Sequence, residues 1–202
     1  MARPAPYAST PYASTLAADA ARVAELAAIA AHTLIGRGNE KAADQVAVDA
    51  MRTALNALDI DGTIVIGEGE RDEAPMLYIG EKVGTGKGPA IDIALDPLEG
   101  TTLTAKAMAN ALTVLAMSPG GGMLHAPDTY MDKIAIGPGY APGTVDLDMK
   151  PQENVRSLAS AKGVKPEDIT VCVMDRPRHA ELIAALREVG ARVLLITDGD
   201  VA

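Results

Sequence analysis

The stretch 91–102, Ile-Asp-Ile-Ala-Leu-Asp-Pro-Leu-Glu-Gly-Thr-Thr, constrains the fold of this chain more than any other. Its apolar residues predict a buried strand, which is expected to end after Leu95 because bare carboxylates resist desolvation. Those carboxylates belong to Asp96 and Glu99, in the turn that follows. Pro97 fixes φ and removes a hydrogen-bond donor, so the turn is predicted to be rigid.

The residues after this turn predict the start of a helix. Gly100 lets another group approach the backbone closely, and Thr101 and Thr102 are candidate N-caps. A site of this kind binds cations at Asp96 and Glu99, and it binds an anion at the N–H groups of residues 100 and 101. The alternative interpretation is an acidic surface turn.

Two helices and a strand are predicted before this stretch. The first helix is amphipathic and covers residues 16–35. Asn39 is the predicted N-cap of the second helix, which runs to about Leu58 and carries Asp44 in its first half. A short β-branched strand follows over residues 63–66.

The acidic loop Gly-Glu-Gly-Glu at 67–70 comes directly after that strand. Glycines on both sides of Glu68 free the backbone to aim its carboxylate inward, and Asp72 adds a further acid nearby. The glycine-rich run 84–88 lacks the spacing of a phosphate-binding loop, so it is interpreted as a hairpin turn.

The rest of the chain is predicted to contain both helices and strands. The predicted elements are a helix over 101–111, a strand over 112–116, a strand–turn–strand arrangement over 125–139, a strand over 143–147, a helix over 151–162, a strand over 169–174, a helix over 179–189 and a strand over 193–197. The last three predict a βαβ unit with parallel strands, which begins a second α/β layer.

Composition restricts the partners and the compartment. The net charge of −9 argues against nucleic acid as a partner. The single cysteine, Cys172, excludes an intrachain disulfide, suits a reducing compartment and is expected to be a buried, inert thiol. No segment reaches the roughly 18 uncharged apolar residues of a membrane span. Residues 1–15 lack the pattern of a signal peptide, so we expect a cytoplasmic protein with a disordered N-terminal arm.

Three motifs together indicate a family. The sequence Asp-Pro-Leu-Glu-Gly-Thr at 96–101 resembles the metal signature of the lithium-sensitive phosphatases, the superfamily of inositol monophosphatase and fructose-1,6-bisphosphatase. Glu99, where many members have Asp, resembles the class II (GlpX-type) fructose-1,6-bisphosphatases, as do the segments 67–76 and 176–179. The resemblance runs from about residue 16 to the last residue.

The resemblance implies an α/β fold, with an α+β first domain within a layered α-β-α-β-α sugar-phosphatase fold. We expect an arm over residues 1–15, a metal-binding phosphatase domain over 16–168 and an incomplete second α/β domain over 169–202. Chains of this family continue further, so this chain is expected to be the N-terminal part of a longer phosphatase.

The resemblance also implies a metal centre. Asp44 and Glu68 are expected to hold one ion, and Asp96 and Glu99 another, with the Leu98 carbonyl as a further candidate ligand. All-oxygen ligands select hard cations, so the expected cofactor is Mn²⁺ or Mg²⁺, with two or more ions in each site.

The resemblance assigns the remaining roles. Thr101 is expected to orient the attacking water and Asp72 to accept its proton, although Asp72 could instead act outside the first coordination shell. Arg176 and Arg178 suit the non-reacting phosphate, because guanidinium groups bind phosphate in bidentate fashion and the i, i+2 spacing of an extended segment puts both on one side. The expected substrate-binding residues are Glu99, Gly100, Thr101, Tyr130, Arg176, Pro177, Arg178, Asp198, Gly199 and Asp200.

The function that follows is hydrolysis of the 1-phosphate of fructose 1,6-bisphosphate to fructose 6-phosphate, in gluconeogenesis or the Calvin cycle. Sedoheptulose 1,7-bisphosphate is a second candidate substrate. The expected partners are a sugar bisphosphate and further copies of the chain, as a dimer or tetramer, with neither nucleic acid nor membrane. The alternatives are an inositol-monophosphatase-like enzyme, which has no use for the Arg pair, and a non-catalytic fragment that keeps part of the site.

Overall fold

The computed structural model describes residues 11–69, 76–125, 129 and 131–199, in two compact units that divide between Asp128 and Thr129. The sequence instead suggests a boundary between residues 168 and 169. The difference arises because the helix at 151–162 shares a hydrophobic core with the βαβ unit that follows it. Val155 and Ala159 of that helix pack with Ile169, so the helix belongs to the second unit.

The first unit begins with two helices, α1 (Pro11–His32) and α2 (Glu40–Asn56). The expected arm was too long, because residues 11–15 already belong to α1, while residues 1–10 lie outside the described part. The predicted N-cap of α2 is confirmed, since Asn39 Oδ1 accepts a 3.0 Å hydrogen bond from the N–H of Ala42.

The helices pack on a four-stranded sheet of order β2-β1-β3-β4. Its strands are β1 (Asp61–Ile66), β2 (Lys82–Val83), β3 (Ala90–Glu99) and β4 (Leu112–Pro119). Strand β1 pairs parallel to β3 and antiparallel to β2, and β4 pairs antiparallel to β3. The hairpin predicted at 84–88 is therefore wrong, because that loop joins two strands that lie on opposite sides of β1.

The core of the first unit is aliphatic, as the scarcity of aromatic residues predicts. One face of β3 supplies Ile91, Ile93 and Leu95, which pack with Met51 and Leu55 of α2. Alternate β3 residues point to opposite faces, so the other face of this strand is left for polar groups. The sheet thereby fixes β3 and leaves its carboxyl end free to build a site.

Strand β3 is longer than predicted, and helix α3 (Thr101–Ala105) is shorter. Pairing with β4 continues to Glu99 through a register irregularity, so Leu95 does not end the strand. The N-cap of α3 is Gly100 rather than either threonine. The helix stops at Ala105 because Ala107 and Asn110, predicted to be helical, both adopt positive φ.

The second unit contains α4 (Pro151–Lys162), β5 (Thr170–Met174), α5 (Ala180–Glu188) and β6 (Arg192–Ile196). Strands β5 and β6 are parallel, so the predicted βαβ unit is confirmed. Strands expected around 125–139 and 143–147 are wrong in the described residues, where 131–150 form turns and irregular structure. The repeated Gly and Pro of this segment supply the reason, since both residues disfavour strand interiors.

The fold also bears on the predicted fold class, on the burial of Cys172 and on membrane-spanning helices. The α/β class is confirmed by the helices and strands of both units. Cys172 is exposed rather than buried, because its neighbour Val173 occupies the face of β5 that packs on the helices. Among the described helices, none is long and apolar enough to cross a membrane.

Candidate metal centre

Four acidic side chains of the first unit are the predicted metal ligands, and they lie on three elements. Asp44 is partly buried in the first half of α2, next to the fully buried Ala43. Glu68 follows β1, and Asp96 and Glu99 close β3. Helix α2 packs against both β3 and α3, which brings the first half of this helix toward the end of the strand.

The backbone on both sides of Glu68 is fixed by hydrogen bonds to a distant segment. The N–H of Glu68 donates to the carbonyl of Leu77 at 3.0 Å, and the N–H of Ile79 donates to the carbonyl of Gly69 at 3.0 Å. A Cβ at Gly67 would collide with the Leu77 carbonyl, so this position requires glycine. The sequence gives no local signal for Leu77, which is fully buried and has a φ of 56°.

A bulge at the end of β3 positions the other two acids. Asp96 pairs with Val114 and Glu99 with Leu112, so three steps along β3 correspond to two steps along β4. In a regular strand, residues three apart point to opposite faces, but one extra residue brings Glu99 to the face of Asp96. Pro97 suits this place because bulges tolerate a residue without an N–H group.

Two side chains satisfy backbone groups inside the bulge. The N–H of Leu98 donates to Asp96 Oδ1 at 3.0 Å, and Thr113 Oγ1 of β4 donates to the carbonyl of Pro97 at 3.0 Å. Pro97 and Leu98 are themselves buried, and Glu99 is only 4% exposed. Two hydrogen bonds and burial therefore hold this turn, which is part of the strand rather than a loop.

The electrostatics indicate that Asp44 and Asp96 lie near enough to Glu68 to influence its pKa. Burial raises the pKa of Glu68 to about 7, with further contributions from the negative charges of Asp44 and Asp96. Burial also raises the pKa of the Asp44 carboxyl. Carboxylates that repel one another in a partly buried site are stabilised by a divalent cation, which supplies the missing opposite charge.

The donor set fits a hard cation. Every donor is a carboxylate oxygen, the ligand type of Mg²⁺ and Mn²⁺, and none is a thiolate or an imidazole. Within the described ranges, no three Asp, Glu, His or Cys side chains already converge tightly enough to hold one ion.

Helix α3 begins beside the acids, as predicted, but its N-cap is Gly100 rather than a threonine. Gly100 has φ 92° and ψ 50°, and a Cβ there would lie 2.9 Å from Leu103 Cδ1 and 3.3 Å from Ala111 Cα. Thr101 is the first residue of α3 and is partly buried. It lies two residues after the ligand candidate Glu99, with Gly100 between them.

The second unit carries the predicted arginines Arg176 and Arg178 just after the carboxyl end of β5. Arg176 is extended, but Pro177–His179 form a 3₁₀ turn, so the prediction of one extended segment is wrong. His179 Nδ1 lies 2.8 Å from the carbonyl of Met174 and holds this turn on β5.

An aspartate at the end of β6 faces the first of these arginines. Arg176 Nη2 lies 4.0 Å from Asp198 Oδ1, and the Asp198 side chain is 12% exposed. Asp198 Oδ2 is buried without a hydrogen-bond partner in the described part of the chain. Gly199 follows directly, with a φ of 127° that favours glycine.

Three predicted site residues lie outside the described residues: Asp72, Tyr130 and Asp200. The acids Asp44, Glu68, Asp96 and Glu99, with Gly100 and Thr101, belong to the first unit. The arginines and the aspartate at 198 belong to the second unit. Sequence reasoning missed Leu77 and Thr113, whose contacts with the site depend on pairing between distant segments.

Comparison with known proteins agrees with the motifs. The family described as "Bacterial fructose-1,6-bisphosphatase, glpX-encoded" matches residues 14–202. The chain is 54% identical over 187 residues to "Fructose-1,6-bisphosphatase 1 class 2" of Escherichia coli, covering 93% of this chain and 55% of that protein. It is 52% identical over 179 residues to "D-fructose 1,6-bisphosphatase class 2/sedoheptulose 1,7-bisphosphatase" of a Synechococcus species, covering 89% of this chain and 53% of that protein.

The matches cover very different shares of this chain and of its relatives. The chain spans about half the length of the curated relatives it matches. The family match nevertheless covers almost the whole of this chain, including every predicted site residue. The chain therefore belongs to the glpX-encoded family of bacterial fructose-1,6-bisphosphatases.

Proposed function

We propose that this chain serves the metal-dependent hydrolysis of the 1-phosphate of fructose 1,6-bisphosphate, giving fructose 6-phosphate and phosphate. One observation carries the proposal: burial, together with the negative charges of Asp44 on α2 and Asp96 near the end of β3, raises the pKa of Glu68 to about 7. Charged groups that are held together against their own repulsion are typical of functional sites.

The proposed ligands are the four acids. Asp44 and Glu68 would hold one cation, and Asp96 and Glu99 a second, with Mn²⁺ or Mg²⁺ as the ions. A pair of such ions, when bound, polarises the phosphoryl group and makes water more acidic. The bulge supports the role of Glu99, because the extra residue brings this side chain to the face of Asp96.

Residues of this chain then orient and deprotonate the attacking water. Thr101 would hold the water through its hydroxyl at the start of α3, and Asp72 would accept the proton. The backbone N–H groups at Gly100 and Thr101 would bind phosphoryl oxygens, since the first turn of a helix has free N–H donors. The bond between phosphorus and the oxygen of the sugar C1 breaks, and that oxygen finally takes a proton.

By the family resemblance, further residues would bind the part of the substrate that does not react. Arg176 and Arg178 suit the remote phosphate, and Asp198, Gly199 and Asp200 suit sugar hydroxyls, with Tyr130 as a further contact. The ion pair of Arg176 with Asp198 supports this division, because it holds an anion-binding and a hydroxyl-binding side chain side by side.

The name of the Synechococcus relative supports sedoheptulose 1,7-bisphosphate as a second substrate. We further propose a homo-oligomer, a dimer or a tetramer, in the cytoplasm. The net charge of −9 supports the absence of nucleic-acid partners, and the single cysteine suits a reducing compartment.

Phosphate release from the purified chain tests the proposal. We expect release that requires Mn²⁺ or Mg²⁺, stops with a chelator, and occurs with fructose 1,6-bisphosphate but not with fructose 6-phosphate or inositol 1-phosphate. Release from monophosphates alone would favour an inositol-monophosphatase-like enzyme. A folded chain that binds no Mn²⁺ and releases no phosphate would favour the non-catalytic alternative.

A further inference from the structure

The bulge of β3 depends on a side chain of the neighbouring strand that carries no charge. Between the pairs Asp96–Val114 and Glu99–Leu112, the two residues Pro97 and Leu98 face the single residue Thr113. A bulge of this kind removes backbone groups from the regular ladder. Each such buried group then needs another partner, because an unpaired buried polar group destabilises the fold.

Side chains supply hydrogen-bond partners for the backbone of Pro97 and Leu98, and one of these side chains is Thr113. Pro97 has no N–H group, and the Leu98 N–H is taken by Asp96 Oδ1 at 3.0 Å. The Pro97 carbonyl accepts from Thr113 Oγ1 at 3.0 Å. Asp96 is itself a proposed ligand of the cation, whereas Thr113 is not. The hydrogen bond of Thr113 would therefore persist when a cation binds.

The bulge matters because it decides the direction of Glu99. Without the extra residue, Asp96 and Glu99 would point to opposite faces of the sheet, since side chains alternate along a strand. A shift by one residue would therefore separate the two acids. The hydroxyl of Thr113 stabilises the arrangement that keeps them together.

We propose that Thr113 is a positioning residue of the metal centre: its hydroxyl holds the Pro97 carbonyl and thereby keeps Asp96 and Glu99 on one face. The proposal rests on the proposed function for its cation, but its geometry is a property of the metal-free chain. Groups that orient ligands in this way are worth about 10- to 100-fold in metal affinity.

Mn²⁺ binding to the metal-free chain, followed by electron paramagnetic resonance, tests the role without any need for turnover. Thr113→Val removes the hydroxyl and keeps the shape, and we expect its Kd to rise about tenfold or more. Thr113→Ser keeps the hydroxyl and should stay within about twofold of the wild type. Thr63→Val is the matched control, because Thr63 is a partly buried residue of β1 whose side chain makes no hydrogen bond within the part of the chain that the structure describes.

Hydrogen exchange of the metal-free chain supplies a second readout. Exchange in residues 96–100 should become faster in Thr113→Val and remain unchanged in Thr63→Val and Thr113→Ser. If Thr113→Val does not fold, Thr113→Ala and Thr113→Ser give the same comparison, because only the latter restores the hydroxyl.

The outcomes separate this proposal from the proposed function. Wild-type Mn²⁺ binding that Thr113→Val leaves unchanged would overturn the role of Thr113 alone. Equal Mn²⁺ affinity in Thr113→Ala and Thr113→Ser would do the same. A wild-type chain that binds no Mn²⁺ at all would overturn the metal centre and, with it, the positioning role.

Discussion

Asp96 and Glu99 are three residues apart in the chain, yet their pairing partners on β4, Val114 and Leu112, are only two residues apart. The extra residue of β3 puts both acids on one face of the sheet. A spacing that would separate two side chains in a regular strand thus brings them together here. This relationship explains why a strand, rather than a loop, can present two ligands to one site.

Substitution of Glu99 by Gln tests its role as a ligand. The change removes one charge and almost no volume, so the fold should persist while Mn²⁺-dependent phosphate release falls below detection. Circular dichroism and phosphate release, measured at saturating Mn²⁺, check both parts. The exposed Glu25 of α1 gives a matched control as Glu25→Gln, which should keep its activity. Activity of Glu99→Gln within twofold of the wild type would exclude Glu99 as a ligand.

Removal of the Arg178 guanidinium should weaken substrate binding more than chemistry. We expect Arg178→Ala to raise KM for fructose 1,6-bisphosphate about tenfold or more with a smaller fall in kcat, because we propose that this side chain binds the non-reacting phosphate. Steady-state kinetics measure the split. Arg192→Ala is the control, since Arg192 pairs with Asp168 on an exposed surface at 3.3 Å and should change neither constant. A lower kcat with unchanged KM would move Arg178 to the reacting end.

The raised pKa of Glu68 predicts a pH dependence with a definite sign. Between its usual value of 4.5 and about 7, the folded metal-free chain keeps a proton that the unfolded chain releases. The contribution to stability is therefore full below pH 4.5 and is lost as the pH rises through about 7. The pH dependence of Mn²⁺ affinity has the opposite sign, because the cation requires the ionised carboxylate.

Urea unfolding of the wild type and of Glu68→Gln isolates this contribution from the other acids, including the neighbouring Asp44 and Asp96. The difference in unfolding free energy between the two chains should change between pH 5 and pH 8 in favour of Glu68→Gln. The apparent Mn²⁺ affinity of the wild type should rise over the same range. A difference in unfolding free energy that is independent of pH would show that the pKa of Glu68 is not raised.

Local patterns in the sequence were sufficient to predict most of the helices and strands, but they were insufficient to predict the arrangement of the site. Helices α2 and α4 and the βαβ unit follow from apolar spacing and from Asn39 and Gly163 at their ends. The acids were recognisable from their motifs. Their arrangement was not, because the bulge depends on the register between β3 and β4, and Glu68 depends on Leu77. Cys172 was misjudged because an apolar run does not reveal which strand face is covered.

Gly100 joins the metal centre to α3, and its replacement by Ala should damage both. Its φ of 92° costs a non-glycine residue about 1–2 kcal/mol, and a Cβ would also crowd Leu103 and the backbone of Ala111. We expect a lower unfolding midpoint in urea and weaker Mn²⁺ binding, because Glu99 is the adjacent residue. Gly121→Ala is the matched control: Gly121 has a φ of 76° but no atom within 4 Å of the added Cβ. The control should therefore show the backbone cost alone and normal Mn²⁺ affinity. Equal Mn²⁺ affinity in both variants would mean that Gly100 does not set the position of Glu99.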